Sequence, residues 1–290
     1  MKSFAERLAD DQPMVYDGGF GSQLFAHGVN LANSSIANLS HPKEVVAVHR
    51  AYIDAGANAI GTNTFVVSSL HLEMADADED DAEHLTELAV QHARQAVEES
   101  GKDVYVGGSI GPSPGAIEAD AGDTVFGIPN VDVRSAVNMT YKITKDRKTG
   151  ELLYRTDWGV SPSDLLDILA SGEFSNGDNL LGDVQLLGLN CGAETRNTDH
   201  TGMPYAIEGT VQMQKALGDR GIENKRLMAY PNAGLPTLDK VTKQASYSQG
   251  PEDMAQHVED LLDAGGFLIG GCCGTTPDHI RAFRNIVDAQ

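Results

Sequence analysis

Apolar runs that end in glycine or polar residues alternate along the chain with segments of helical periodicity. The helical pattern is clearest in residues 42–57, where Val45, His49 and Tyr52 recur at helical spacing. The pattern predicts strands at residues 14–24, 58–65, 104–112, 136–144, 184–191, 226–234 and 266–271, and helices at residues 42–57, 82–101, 161–172, 209–221 and 277–289. Strands that alternate with helices predict an α/β fold with a parallel sheet.

Unusual polar residues and cysteines gather at the carboxyl ends of the predicted strands. They are Asp17, Asn63, Ser109, Asn190, Cys191, Asn232, Cys272 and Cys273. Parallel strands place their carboxyl ends on one face, where (β/α)8 barrels carry their active sites. A doubly wound sheet would also collect them on one edge, but DGGFGSQ after the first strand lacks the GxGxxG nucleotide fingerprint. The sequence favours a TIM-type barrel, with residues 1–290 as a single domain.

The charge balance excludes two classes of partner. The chain has 42 acidic and 21 basic residues, a formal net charge of −21. Nucleic acids and anionic membranes both require a positive surface, so neither is an expected partner. No apolar run approaches the roughly 18 residues of a membrane span, and the first residues lack the apolar core of a secretory signal. We expect a cytoplasmic protein.

Two of the three cysteines in the chain are neighbours, Cys272 and Cys273. Consecutive side chains of a regular strand point to opposite faces, but the glycines around the doublet permit irregular turns. Both sulfurs can then face a common centre with Cys191, and three thiolates with one open position are typical of catalytic zinc. Burial of the cysteines as ordinary core residues is the alternative.

Backbone groups near the doublet suggest a cradle for an amino acid. Thr276 and Pro277 suit the start of a helix, whose free amides can hold a carboxylate. Asp17 at the end of the first strand can bind an ammonium group. Together these features suit a zwitterionic thiol, although Gly18 and Gly19 are equally consistent with a simple tight turn.

DGGFGSQL, TNTF, GSIGP, GLNC, YPNAGLP and GGCCGTTPDHI occur in this order, and with them the chain resembles the homocysteine S-methyltransferase family from about residue 13 to residue 286. TNTF and YPNAGLP are more similar to its methionine synthase branch. The resemblance implies a (β/α)8 barrel with Zn²⁺ bound by Cys191, Cys272 and Cys273 and with homocysteine sulfur as the next ligand. It also implies a substrate site, for which the expected residues are Asp17, Gly18, Gly19, Asn63, Thr64, Asn190 and Thr275.

The sequence departs from the family between the strands at 104–112 and 136–144. The family has a helix, a strand that ends in Glu-Thr and a second helix there, whereas only about 25 residues intervene here, too few for the whole unit. No Glu-Thr pair occurs in this segment, and Glu118 is a poor substitute by position. The fourth β/α unit is therefore shortened or missing.

We expect a zinc-dependent enzyme that methylates homocysteine or a related thiol. The donor is left open among S-methylmethionine, another methylated onium compound and a separate methylated corrinoid protein. A noncatalytic zinc-binding or interaction subunit derived from the family is the alternative. An aldolase-like barrel has little support, because Lys102, Lys142, Lys215 and Lys225 lie outside or at the edges of the predicted strands.

Overall fold

A computed structural model of the chain describes residues 2–111, 135–139, 142–156, 159–173, 175–191, 202–234, 236–240 and 245–290. The strands are β1 (Met14–Val15), β2 (Ala59–Gly61), β3 (Tyr105–Gly107), β4 (Ser135–Met139), β5 (Lys142–Lys145), β6 (Leu152–Arg155), β7 (Val184–Cys191), β8 (Arg226–Pro231), β9 (Pro236–Leu238), β10 (Ala245–Tyr247) and β11 (Gly266–Ile269). The helices are α1 (Phe4–Leu8), α2 (Phe20–Ala26), α3 (Ala37–Ser40), α4 (Pro42–Asp54), α5 (Ser69–Glu73), α6 (Ala82–Ser100), α7 (Pro162–Ser171), α8 (Leu180–Asp183), α9 (Met203–Gly218), α10 (Pro251–Ala255), α11 (Val258–Asp263) and α12 (Pro277–Val287). Short 3₁₀ turns span Ser34–Ile36 and Glu79–Asp81.

Parallel strands form the centre of the protein. Five of them hydrogen bond in the order β1-β11-β8-β7-β4, and β2 pairs with β3 in a separate parallel pair. Asn58 joins the two groups, since its backbone N–H donates to the Val15 carbonyl at 2.7 Å and its side-chain oxygen accepts from the Val15 N–H at 2.9 Å. The predicted α/β class with a parallel sheet is therefore confirmed.

The interior faces of these strands share one buried cluster. It contains a residue from each of five strands, namely Met14, Ala59, Leu186, Met228 and Leu268. Layers of inward-pointing apolar side chains are typical of a barrel interior. Within the described residues, however, no ladder closes the strands into a ring. The segment between β3 and β4, where the fourth β/α unit is expected to be shortened or missing, lies outside them, as does Glu118.

Helices cover the outer faces of the strands. In α4, Val45, Val48 and Ile53 are buried, and in α12 Ile280 and Phe283 are buried in the same cluster. Because strands such as β11 are covered on both faces, they form continuous apolar runs. None of the described helices combines the length and apolar character that crossing a membrane requires.

The strand predicted at residues 136–144 is divided in the structure. Its first part is β4 of the parallel sheet, whereas β5 pairs antiparallel with β6 as a hairpin. The hairpin turn forms because the Asp146 carboxylate accepts hydrogen bonds from the backbone N–H groups of Lys148 at 2.7 Å and Thr149 at 2.8 Å. This turn and β6 lie between the strand predicted at residues 136–144 and the helix predicted at residues 161–172.

His49 of α4 is a fully buried histidine. Its exposed fraction is 0%, and neither ring nitrogen has a hydrogen-bond partner among the described residues. The ring lies against Phe20, with 4.7 Å between the ring centroids. Burial, reinforced by His92, lowers the pKa of His49 to about 3. The folded protein therefore holds this imidazole neutral.

Acid should destabilise the protein through His49. The imidazole of the unfolded chain takes a proton below about pH 6.5, so the stability that depends on neutral His49 is complete above that pH and is lost as the pH falls towards 3. Below about pH 6, the unfolding free energy of His49→Leu relative to that of the wild type should rise by about 1.4 kcal/mol for each pH unit of acidification. Denaturant unfolding between about pH 4 and pH 7 measures this difference.

The exposed His84 of α6 offers a matched control. The variant His84→Gln should keep the pH dependence of the wild type. Unfolding free energies of wild type and His49→Leu that run parallel over this pH range would remove His49 as the acid-sensitive group.

Candidate metal and substrate site

The three cysteine sulfurs lie together at the carboxyl ends of β7 and β11. The Sγ atoms of Cys191 and Cys272 are 3.0 Å apart, and those of Cys272 and Cys273 are 4.0 Å apart. All three sulfurs lie within 4.8 Å of one another. Cys191 and Cys272 are separated by 81 positions in the chain, so the fold creates this cluster.

Irregular backbone at both strand ends brings the sulfurs together. Cys191 has a φ of +58°, a left-handed conformation that non-glycine residues rarely adopt. Next to it, Asn232 N–H donates to the Cys191 carbonyl at 2.6 Å, and Cys272 N–H donates to the Pro231 carbonyl at 2.7 Å. The end of β8 thus lies between the two cysteine segments and fixes both.

The cluster fits a tetrahedral metal ion. Zn–S bonds of about 2.3 Å at tetrahedral angles place ligand sulfurs about 3.8 Å apart. The observed separations of 3.0 Å and 4.0 Å bracket this value. Thiolate ligands favour zinc or copper(I) over magnesium or calcium. Three protein ligands also leave a fourth position for a substrate atom.

Without a cation, the three thiols share their protons unequally. Hydrogen bonds from Cys191 and Cys272 lower the pKa of Cys273 to about 3. The hydrogen bond with Cys191 is the largest of the effects that raise the pKa of Cys272 well above its ordinary value. The cluster thus favours one thiolate and opposes ionisation of the other thiols. A bound divalent cation reverses this opposition, because metal ligation requires deprotonated thiols.

Asp17 is a buried carboxylate beside this cluster. Its side chain is 6% exposed, and its Oδ2 atom accepts a hydrogen bond from the Gly61 N–H at 2.7 Å. Burial raises the pKa of Asp17 to about 8, although the bond from Gly61 acts in the opposite direction. No basic side chain of the described residues contributes to this pKa. A cationic ligand would therefore find a counter-ion here.

Gly18, Gly19 and Thr275 form a tightly packed contact behind the cysteine doublet. The Gly19 N–H donates to Thr275 Oγ1 at 2.9 Å, and that hydroxyl donates to the Cys272 carbonyl at 2.7 Å. A Cβ at Gly18 would lie 2.7 Å from the Tyr52 ring, and a Cβ at Gly19 would lie 2.6 Å from the Cys272 carbonyl oxygen. Close packing thus requires glycine at both positions, and the Gly19 amide is already used within the protein.

Asn63, Thr64 and Asn190 also make contacts within the protein. Asn63 Nδ2 donates to the Ser34 carbonyl at 2.7 Å, and Thr64 Oγ1 donates to the Ser109 carbonyl at 2.6 Å. The Thr64 bond joins the loops that follow β2 and β3, whereas the Asn63 bond joins the loop after β2 to the 3₁₀ turn at Ser34–Ile36. Asn190 Nδ2 donates to Cys191 Sγ at 3.3 Å and so lies nearest to the sulfur cluster. Direct contact of these residues with a substrate stays a prediction.

The start of α12 is capped by its own side chains. Thr276 is the N-cap residue, as predicted, and its N–H donates to His279 Nδ1 at 3.1 Å. His279 is 4% exposed, and its other ring nitrogen donates to the Gln249 carbonyl at 3.1 Å. The Thr276 amide is therefore engaged with His279, whereas the sequence suggested free amides for a carboxylate.

Three residues outside the predicted site support the cysteines. Asn232 accepts a hydrogen bond from the Cys273 N–H at 3.1 Å, and the Tyr247 hydroxyl, after the larger effects of Cys191 and Cys272, lowers the pKa of the Cys273 thiol. Tyr52 Oη donates towards the carbonyls of Gly19 at 3.0 Å and Thr275 at 3.1 Å. Asn232 lies in the YPNAGLP motif and could have been predicted as a site residue from it, whereas no local signal in the sequence marks Tyr52 or Tyr247.

The fold and the site define an α/β protein with three thiols suited to one thiophilic metal ion at the carboxyl ends of its parallel strands. The sequence profile of the homocysteine S-methyltransferase family matches residues 14–147 and 158–287. The chain belongs to this family. The predicted enzyme class, a thiol S-methyltransferase, is thereby confirmed.

Two methionine synthases are similar to the chain. That of Mycobacterium tuberculosis is 29% identical over 309 aligned residues, which cover 92% of this chain and 24% of that protein. That of Mycobacterium leprae is 29% identical over 319 aligned residues, covering 97% of this chain and 24% of that protein. The chain thus spans about a quarter of the length of these relatives.

Solved structures of the homocysteine methyltransferase MmuM from Escherichia coli share the fold. Its metallated form has a TM-score of 0.66 at 19% identity, covering 98% of this chain and 100% of MmuM. Its apo form has a TM-score of 0.59 at 20% identity, covering 96% of this chain and 97% of MmuM. At this identity the likeness concerns the fold alone.

Proposed function

We propose that the chain is a zinc-dependent methyltransferase that moves a methyl group to the sulfur of homocysteine or a related thiol, giving methionine or another thioether. The observation that carries the proposal is the convergence of three cysteine sulfurs within 4.8 Å. Cys191, Cys272 and Cys273 would hold the zinc ion. When bound, zinc would supply the positive charge that keeps an acceptor thiol ionised near neutral pH.

The protein's own residues orient the acceptor. The Asp17 carboxylate lies buried on the rim that carries the cysteines, without a basic partner among the described residues, and is suited to bind the acceptor's ammonium group. Thr275, Gly18 and Gly19 hold the doublet against the end of β1, and Asn63, Thr64 and Asn190 shape the rim nearby. In the reaction the acceptor sulfur forms a bond to the methyl carbon as the donor–methyl bond breaks, and the electron pair of that bond leaves with the donor.

The methyl donor is the less determined substrate. S-methylmethionine, another methylated onium compound and a methylated corrinoid carried on a separate protein all supply a methyl group with a good leaving group. Similarity to methionine synthases, of which this chain spans about a quarter, favours the corrinoid protein. We further propose that residues 1–290 form one barrel domain, consistent with the shared interior cluster of the strands. We also propose that this domain works in the cytoplasm.

Metal analysis and turnover test this proposal together. The purified protein should carry about one zinc ion per chain, and homocysteine should shift the zinc-edge X-ray spectrum towards four sulfur ligands. Incubation with homocysteine and each donor class should then give methionine with at least one donor. Absence of zinc would contradict the site assignment, whereas zinc without turnover would favour a noncatalytic zinc-binding or interaction subunit.

A further inference from the structure

Tyr247 contacts the cysteine doublet from a hairpin outside the parallel sheet. It ends β10, which pairs antiparallel with β9, and it lies opposite Pro236 in that pair. Its hydroxyl is close enough to the Cys273 sulfur to lower the pKa of that thiol, after the larger effects of Cys191 and Cys272. Its ring lies on Gly274, where an added Cβ would clash with the ring atom Cγ. The ring is therefore held against the backbone next to the doublet.

Cys273 is the cysteine that most needs such a contact. Of the three, it is the exposed one, whereas Cys191 and Cys272 are half-buried. Its backbone is well held, because its N–H donates to Asn232 and its carbonyl accepts from the Ala233 N–H at 3.0 Å. These bonds do not restrict rotation of the side chain about the Cα–Cβ bond. Contacts of the sulfur itself select its rotamer, and these involve the Cys191 and Cys272 sulfurs and, from outside the cluster, the Tyr247 hydroxyl.

We propose that Tyr247 is a positioning residue of the metal site, whose hydroxyl donates to the Cys273 sulfur and holds it in the orientation that metal binding requires. The proposal rests on the proposed function, since it assumes that the cysteines bind a metal. Groups that hydrogen bond to metal ligands commonly account for 10–100-fold in metal affinity. The close fit of the ring on Gly274, which has a φ of +82°, holds the tyrosine next to the doublet.

Tyr247→Phe is the informative variant, because phenylalanine keeps the ring on Gly274 and removes only the hydroxyl. We expect about tenfold weaker zinc binding in competition with a chromophoric chelator. The cobalt(II)-substituted variant should also show a shifted thiolate-to-metal charge-transfer band, while the thermal unfolding of the metal-free protein stays that of the wild type. A purely structural role for Tyr247 would change the unfolding and leave the band in place.

Tyr105→Phe is the matched control, since the Tyr105 hydroxyl donates to the Lys2 carbonyl at 2.8 Å, away from the cysteines. It should bind zinc and cobalt as the wild type does. Wild-type zinc affinity and an unshifted cobalt band in Tyr247→Phe would overturn the role of Tyr247 and leave the proposed function intact. A wild-type protein that binds neither metal would instead overturn both.

Discussion

Replacing Cys272 with alanine should abolish both zinc binding and methyl transfer. Cys272 is the central member of the cluster, with its sulfur 3.0 Å from that of Cys191 and 4.0 Å from that of Cys273. Loss of a group that merely supports a metal ligand typically costs 10–100-fold in affinity, so loss of a ligand should exceed about 100-fold. Chelator competition measures the affinity, and methionine formation from homocysteine measures the activity.

The substitution should leave the fold intact. The structural bonds of Cys272 are made by its backbone, whose N–H donates to Pro231 and whose carbonyl accepts from Thr275, and alanine retains both. Metal-free wild type and variant should therefore unfold at similar temperatures. Ser40→Ala, an exposed small polar residue of α3, serves as a control that keeps zinc and activity. Full activity in Cys272→Ala would refute the assignment of the metal site.

The sequence predicted those features whose causes are local. The strand at 184–191 was placed correctly because it is a continuous apolar run that ends at a cysteine, which matches β7. The cysteine doublet could be expected to leave the regular strand because glycines surround it, and the structure does end β11 before it. The convergence with Cys191 followed from the rule that parallel strands end on one face.

Other features depend on contacts between distant parts of the chain. Tyr52 belongs to the apolar pattern of α4, and only the fold shows its hydroxyl next to Thr275, 223 positions away. Residues 14–24 were assigned to a strand, yet the chain turns after Val15 and starts a helix at Phe20. The helices α10 and α11 were not predicted, although Pro251 at a helix start and the helical spacing of Met254, Val258 and Leu261 indicate them.

Asp17 combines a cost in stability with a proposed function in binding. Its folded-state pKa of about 8 lies above the ordinary value of 3.8, so its contribution to stability is complete below about pH 4 and is lost as the pH rises through 8. Near and above pH 8 the free protein thus holds a buried carboxylate at a cost of a few kcal/mol. An ammonium group from the acceptor would offset this cost. Its pairing with Asp17 would therefore contribute to the affinity for the acceptor.

Asp17→Asn should therefore stabilise the free protein at alkaline pH and weaken its binding of the acceptor. The asparagine oxygen can still accept the Gly61 N–H, so only the charge is removed. A hydrogen bond to a charged group contributes about 1.5–3 kcal/mol, so the KM for homocysteine should rise at least about tenfold while the zinc content stays constant. Steady-state kinetics, metal analysis and denaturant unfolding between about pH 6 and pH 9 measure the three quantities.

The same reasoning predicts how the acceptor changes the unfolding temperature of the wild type at different pH values. Homocysteine should raise the unfolding temperature of the wild type more at about pH 8.5 than at about pH 6, because the buried carboxylate is charged at the higher pH. Asp17→Asn should lose this pH-dependent part of the shift. Asp11→Asn is the control, since the Asp11 side chain is 99% exposed and pairs with Arg226 at the opposite end of β8. An unchanged KM in Asp17→Asn would exclude Asp17 from the acceptor site. If Asp17 were the counter-ion of a bound ammonium group, loss of its charge would weaken binding of the acceptor.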